Sequence, residues 1–147
     1  MNILVISLII FIIDQFVKSV VVTSLSTLSV IPGVLSFIFA KNKGVAFSML
    51  YGKRLFIIIV SLILLFILLY IIKKDLKDGI NKLKITSYGM ILGGVLGNLF
   101  DRIIRGYVVD YIAVFSFPIF NIADICITVG VFLLVIEILF FENKKKE

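Results

Sequence analysis

The feature that most constrains this chain is a run of eighteen consecutive uncharged residues from Leu55 to Ile72. About 20 apolar residues in a helix cross the hydrocarbon core of a bilayer, so this run predicts a transmembrane helix. The whole chain is 61% hydrophobic with a mean hydropathy of +1.21, whereas soluble domains are only about 45–50% apolar. We therefore expect an integral membrane protein.

Three further apolar segments extend this prediction to an all-α membrane protein with four transmembrane helices. The predicted spans are residues 3–22, 54–72, 85–104 and 122–141. The third span carries Gly89, Gly93 and Gly97 at intervals of four residues, which allows another helix to approach closely. The length of 147 residues, without a linker or an internal repeat, predicts a single domain over residues 1–147.

The basic residues predict how these helices are oriented. Eight lysines lie either between the second and third spans or in the C-terminal tail: Lys73, Lys74, Lys77, Lys82, Lys84, Lys144, Lys145 and Lys146. Cytoplasmic loops are enriched in Lys and Arg, so both termini and the loop at 73–84 are expected in the cytoplasm. Residues 23–53 and 105–121 then form the outer loops. This distribution accounts for the net charge of +6, and no nucleic-acid partner is expected.

The first outer loop, residues 23–53, is rich in β-forming residues. Two short runs of them flank the sequence Lys41-Asn42-Lys43-Gly44, whose polar residues and glycine favour a hairpin turn. We therefore predict a small extracytoplasmic β-element that lies on the membrane surface. Asn42 and Gly44 are then either simple turn residues or residues that bind a substrate.

Polar residues are concentrated between the third and fourth spans. Within residues 97–124, six of them are candidates for a functional site: Asn98, Asp101, Arg102, Asp110, Asn121 and Asp124. Ionisable groups beside a span are costly, and they are functional candidates by default. The predicted topology brings these residues toward the outer leaflet, together with Asp14 and Lys18 of the first span. Asp14 and Lys18 are four residues apart and share one helix face. They either form an ion pair or face a substrate.

The residue inventory restricts the chemistry of such a site. Histidine is absent and cysteine occurs once, at Cys126, which excludes a Ser–His–Asp triad, an internal disulfide and a His/Cys zinc site. We expect neither a metal nor another cofactor. Two carboxylates near a dry interface cannot easily both ionise, so one holds a proton while the other acts as a base. Asp110 and Asp124 are candidates for this arrangement, although sequence spacing alone does not show that they meet.

Two other functional classes remain open at this point. Membrane carboxylates also serve as proton relays, which would suit a small transporter with its site near the bilayer midplane. The glycine pattern would suit a non-catalytic assembly subunit, but that function leaves the acidic residues unexplained. Asp101 and Arg102 are open to a simpler interpretation, an ion pair at a helix end. Glu137 falls near the cytoplasmic end of the fourth span, where snorkelling is the ordinary explanation.

Five short motifs occur along the chain. They are Asp14-x-x-x-Lys18, Asn42-x-Gly44-x-Ala46-Phe47, Gly97-Asn98-x-x-Asp101-Arg102, Val108-Val109-Asp110-Tyr111 and Phe120-Asn121-x-Ala123-Asp124. In this order they resemble the motifs of the lipoprotein signal peptidases, the type II signal peptidases of bacteria. They cover the chain from the first predicted span to the fourth, and five in order form a specific pattern.

The resemblance implies an aspartic endopeptidase with Asp110 and Asp124 as its catalytic pair. It also implies a set of residues that bind substrate or support the site: Asp14, Lys18, Asn42, Gly44, Asn98, Arg102 and Asn121. The implied substrate is a prolipoprotein whose cysteine carries diacylglycerol, and cleavage falls immediately before that cysteine. We then expect a protein of the bacterial cytoplasmic membrane, in contact with lipid, with its active site toward the extracytoplasmic face and without an obligatory protein partner.

Overall fold

The computed structural model describes residues 2–24, 27–44 and 52–142. The helices are α1 (Ile3–Ser24), α2 (Arg54–Asp78), α3 (Lys82–Ile104) and α4 (Ile122–Glu137), and α4 continues into a π-helical turn (Ile138–Glu142). The strands are β1 (Leu28–Ile31), β2 (Leu35–Asn42) and β3 (Val108–Val114). The predicted class, an all-α membrane protein with a small β-element, is confirmed.

The four helices differ in how well they suit a membrane. In the described part of the chain, α1, α2 and the segment Ile122–Phe140 are long and apolar enough to cross one. The α3 helix has 23 residues but a more polar composition, and it packs against α1, α2 and α4. A helix surrounded by protein does not need an apolar surface on every side. The third predicted span, along α3, therefore stays a prediction.

Glycines in α3 allow α1 to pack closely against it. A Cβ atom built on Gly89 would lie 2.6 Å from the Cβ of Ile6, and one built on Gly97 would lie 2.5 Å from the Oδ2 atom of Asp14. Real Cβ atoms essentially never come within 3.0 Å of such neighbours. A larger residue at either position would therefore push α1 away from α3.

The three strands form one antiparallel sheet with β2 in the centre. A tight turn at residues 32–34 joins β1 to β2, and Gly33 in this turn has a φ of +72°. On its other side β2 pairs with β3, where Ala40 is opposite Asp110 and Asn42 is opposite Val108. The sheet therefore places Asp110 beside the end of β2.

The outer loops differ in detail from their predictions. Lys41 and Asn42, expected in a turn, belong to β2 and pair with β3. The second run of β-forming residues, which follows Gly44, lies outside the described residues, so the hairpin there stays a prediction. Residues 105–121, expected as an outer loop, contain β3. Local turn patterns did not reveal β3, because β2 pairs with it from far along the chain.

Several helix ends also differ from the predicted boundaries. The α2 helix continues past residue 72 to Asp78, and α3 begins at Lys82 rather than at residue 85. Loss of apolar character marks where a helix leaves the hydrocarbon, whereas the helix itself continues until its backbone groups find other partners. At the start of α3 that partner is Asn81, whose side-chain oxygen accepts a hydrogen bond from the backbone N–H of Lys84 at 2.9 Å.

Candidate active site

Asp124 is held at the N-terminus of α4. Asn121 caps this helix: its side-chain oxygen accepts a hydrogen bond from the backbone N–H of Asp124 at 3.0 Å. The Asp124 carboxylate in turn accepts one from the backbone N–H of Asn121 at 3.1 Å. The backbone N–H of Ala123 donates to Asp14 Oδ1 at 3.2 Å. These contacts fix the Asp124 carboxylate where the helix dipole favours negative charge.

Asp110 lies on β3 with only 3% of its surface exposed. Each of its carboxylate oxygens accepts a hydrogen bond from an amide: Oδ1 from Asn121 at 2.7 Å and Oδ2 from Asn42 at 2.9 Å. Burial raises the pKa of Asp110 to about 6, the negative charge of Asp124 adds to the rise, and the amide donors oppose it. The two aspartates therefore share one electrostatic site.

Asn98 connects Asp124 to the first helix. Its side-chain oxygen accepts hydrogen bonds from the Lys18 ammonium at 2.9 Å and from the Asn121 amide at 3.1 Å. Its own NH2 group donates to Asp124 Oδ1 at 2.7 Å. Because donors already occupy the amide oxygen, the NH2 group of Asn98 must face the Asp124 carboxylate.

Asn42 and Gly44 connect the end of β2 to the site of the two aspartates. The backbone N–H of Gly44 donates to the side-chain oxygen of Asn42 at 3.0 Å, which leaves the Asn42 amide nitrogen for Asp110. The half-buried Arg102 donates to the backbone oxygens of Gly44 at 3.4 Å and Asn98 at 3.3 Å. Arg102 therefore links the end of α3 to the residues that follow β2.

A buried charged cluster lies behind these amides. Lys18 is fully buried, and its ammonium lies 2.8 Å from Asp14 Oδ2 and 3.0 Å from Asp101 Oδ2. Asp14 and Lys18 thus form an ion pair in which both side chains are fully buried. Asp101 also pairs with Arg105, so the predicted helix-end pair of Asp101 with Arg102 is wrong. Residues four apart share a helix face, whereas adjacent residues point in different directions.

Sequence reasoning missed three residues that contribute to the site. Gln15 donates to Asp14 Oδ2 at 3.1 Å and accepts from Arg105 at 2.7 Å. Tyr111, next to Asp110, accepts a hydrogen bond on its hydroxyl from a backbone N–H of α4, and burial raises its pKa. The spacing of Arg105 four residues after Asp101 was the available signal. Nothing in the local sequence indicated the contacts of Gln15 and Tyr111.

A cleft of about 460 Å³ opens at Asp110. It is lined by Ala40, Lys41, Asn42, Asp110 and residues 116–119. The end of β2 and the segment after β3 thus form its two sides. The volume lies within the range of about 300–1,000 Å³ that is typical of ligand pockets.

The fold and the site together define a class of protein. A membrane-helix bundle carries two aspartates held by neutral amides, one of them with a raised pKa, beside a cleft; this is the arrangement of an intramembrane aspartic peptidase. In the ranges that the structure describes, no group of three or more His, Cys, Asp and Glu side chains is placed to hold a metal ion.

Comparison with known proteins agrees with this class. The family model described as "Signal peptidase (SPase) II" matches residues 6–140. A lipoprotein signal peptidase of Caldicellulosiruptor bescii is 48% identical over 114 residues, which are 78% of this chain and 73% of that protein. One from Fusobacterium nucleatum is 39% identical over 145 residues, covering 95% and 87% of the two chains. A solved bacterial membrane enzyme superposes with a TM-score of 0.86 at 35% identity, covering 97% of this chain and 91% of that one.

The chain belongs to the signal peptidase II family. It is therefore an aspartic endopeptidase that removes signal peptides from diacylglyceryl-modified prolipoproteins, cleaving before the lipid-modified cysteine. The family and the activity predicted from the motifs are confirmed. The transporter and assembly-subunit alternatives are wrong. The roles of individual residues stay predictions.

Proposed function

We propose that Asp110 and Asp124 are the catalytic dyad of this peptidase. The observation that carries the proposal is the position of Asn121, which contacts both aspartates. Its side-chain amide donates to Asp110 at 2.7 Å, and its backbone N–H donates to Asp124 at 3.1 Å. One residue thus holds both carboxylates beside the cleft that Asp110 lines.

The two aspartates have different environments, which suggests different roles. Asp110 is almost completely buried and has a pKa of about 6, so near neutral pH it retains a proton for part of the time. Asp124 is more exposed, and it lies in the first turn of α4, where its carboxylate accepts hydrogen bonds from the backbone N–H of Asn121 and from the Asn98 amide. We therefore assign the acid role to Asp110 and the base role to Asp124.

In the resulting mechanism, Asp124 accepts a proton from a water molecule whose oxygen bonds to the scissile carbonyl carbon. Asp110 donates its proton to the carbonyl oxygen. When the tetrahedral intermediate collapses, the C–N bond breaks, the leaving nitrogen takes up the proton held by Asp124, and a hydroxyl group of the intermediate returns a proton to Asp110 as the new carboxyl group forms. Asn42 lines the same cleft, and its amide is suited to stabilise charge that develops on the carbonyl oxygen.

Cleavage by the purified protein tests the substrate requirement. The protein in detergent is incubated with a diacylglyceryl-modified precursor and, in parallel, with the same precursor lacking the lipid. We expect release of the signal peptide from the modified precursor only, with the new N-terminus at the lipid-modified cysteine. Equal cleavage of both precursors would contradict the proposed substrate recognition.

We further propose that the protein is a single domain that lies in the bacterial cytoplasmic membrane and crosses it four times, with α3 as the third span. Both termini and residues 73–84 would face the cytoplasm, and the dyad would face outward. The apolar side chains that α2 exposes, such as Leu55, Phe66 and Tyr70, support direct contact with lipid. We expect cleavage without an obligatory protein partner.

Single-cysteine labelling in a Cys126→Ser background tests this orientation. Cysteines placed at positions 75–80 should react with an impermeant reagent only after the membrane is opened. A cysteine at position 116, in the segment that lines the cleft, should react in intact cells. The reverse pattern would contradict the orientation.

A further inference from the structure

Two buried acids outside the dyad each hold the backbone next to a catalytic aspartate. Asp14 Oδ1 accepts the backbone N–H of Ala123 at 3.2 Å, and Asp101 Oδ2 accepts the backbone N–H of Val109 at 3.1 Å. Ala123 and Val109 each immediately precede one member of the dyad in the sequence. The two catalytic aspartates, on α4 and β3, are therefore each tethered to a different buried carboxylate.

Lys18 joins these two acids. Its ammonium lies 2.8 Å from Asp14 and 3.0 Å from Asp101, and all three side chains have 0% exposure. A buried ion pair keeps its geometry because a displaced charge would lose its partner in a medium that does not solvate it. Lys18 also donates to Asn98, which contacts Asp124 directly. The two carboxylates that hold the backbone are therefore both positioned relative to the Lys18 ammonium group.

We propose that Asp14, Lys18 and Asp101 form a positioning triad that sets the distance between the two catalytic aspartates. The triad touches no substrate, since its members are fully buried and none lines the cleft at Asp110. It acts through the backbone N–H groups that its two carboxylates hold. This inference rests on the proposed dyad.

The distance between the aspartates has a measurable consequence. The repulsion between two carboxylates weakens as they separate, and a coupled pair titrates as one unit. The charge of Asp124 contributes to the raised pKa of Asp110. A wider separation therefore lowers the pKa of Asp110, and the alkaline limb of the pH–rate profile moves to lower pH.

Other charged and titratable groups also face the dyad. They are Asp14 and Lys18 on α1, Arg102 on α3 and Tyr111 on β3. A test must therefore change the geometry of the triad without changing its charge. Replacing an aspartate of the triad with glutamate adds one methylene group and keeps the negative charge.

The test compares Asp101→Glu and Asp14→Glu with Glu137→Asp. Glu137 is a buried acid near Lys84 at the opposite end of the bundle, so its variant also changes the length of a buried acid without changing charge. Cleavage of the diacylglyceryl-modified precursor is measured against pH to give kcat, KM and both limbs of the profile. Thermal unfolding of each purified variant shows that it is folded.

We expect the two triad variants to lower kcat by up to about 10²-fold, as a misplacement of about 1 Å does in other enzymes. KM should stay near the wild-type value, and the alkaline limb should move to lower pH. Glu137→Asp should keep the wild-type kcat and limb. This pattern would support a positioning role, because a general loss of folded protein lowers the rate without moving the limb.

Three results would overturn the proposal. The first is a wild-type profile in both folded triad variants. The second is a reduced rate with an unmoved limb, and the third is loss of the folded protein in both variants, which would make the triad a structural element only. The dyad is tested separately: activity retained in Asp110→Asn would refute the proposed dyad, whereas failure of the triad leaves it intact.

Discussion

Carboxylates are buried or partly buried at both ends of the bundle, but the two ends hold them in different ways. At the end where α2 meets α3, Asp75 and Glu137 lie 2.9 Å and 3.6 Å from the ammonium of Lys84. At the other end, Asp110 and Asp124 accept hydrogen bonds from amides, and in the described residues neither forms a salt bridge. A lysine partner brings an opposite charge to the carboxylate, whereas an amide donates a hydrogen bond without adding a charge. The kind of partner, more than burial, distinguishes the candidate site.

The largest effect should come from the dyad itself. Asp110→Asn and Asp124→Asn each remove acid–base chemistry worth about 10²–10⁴-fold while they keep the side-chain shape. Because the two residues act as a unit, the double variant should be hardly slower than either single one. Cleavage of lipid-modified precursor by purified, folded variants gives the measurement. Glu137→Gln is the control at the other end of the bundle and should remain active. Loss of cleavage in this control, together with activity in a dyad variant, would contradict the assignment of the dyad.

The second effect is on stability. The pKa of Asp110 is about 6 in the folded protein and 3.8 for an ordinary aspartate. The folded state therefore binds the extra proton between these values, so the contribution of Asp110 to stability is greatest below pH 3.8 and is lost as the pH rises to 6. A difference of about two pH units corresponds to roughly 3 kcal/mol.

Unfolding in detergent measures this contribution. Relative to Asp110→Asn, the wild-type protein should lose on the order of 3 kcal/mol in the free energy of unfolding between pH 4 and pH 7. Parallel stability curves for the two proteins would show that burial does not perturb Asp110.

A matched pair of helix caps gives the third test. Asn81 caps α3 and Asn121 caps α4, each through a backbone N–H three residues later. Replacement of either by alanine should cost about 1 kcal/mol of stability, because a capping hydrogen bond is lost. Only Asn121→Ala should also reduce cleavage, by about 10²-fold, because its amide holds Asp110 as well. Equal cleavage by the two variants would mean that both ends of the bundle are merely structural.

The smallest effect concerns the sheet. Asn42→Ala removes one donor to Asp110 and should lower cleavage about tenfold, equivalent to about 1.4 kcal/mol. This hydrogen bond lowers the pKa of Asp110, so its loss raises that pKa and moves the alkaline limb of the pH–rate profile to higher pH. The direction is opposite to that expected for the triad variants. Unchanged turnover at limiting substrate would return Asn42 to a structural role.

The predicted fold was accurate where apolar runs are long and inaccurate where pairing is distant. The run at residues 55–72 correctly located α2, although charged residues extend that helix to Asp78. The strand that carries Asp110 was expected as an outer loop, because its seven residues pair with β2, a strand much earlier in the chain. The motifs identified both candidate aspartates, but no motif indicated that Asp101 pairs with Lys18.

The sequence by itself determined the membrane class, the position of the long apolar helices, the absence of histidine and of any cysteine pair, and the family. These properties depend on composition and on local order, which the chain carries directly. Only the tertiary structure decided which acid meets which partner: Asp110 and Asp124 meet amides, whereas Asp14 and Asp101 meet Lys18. The physical reason is that hydrogen bonds and ion pairs act over about 3 Å, so they depend on how distant segments pack and not on sequence spacing.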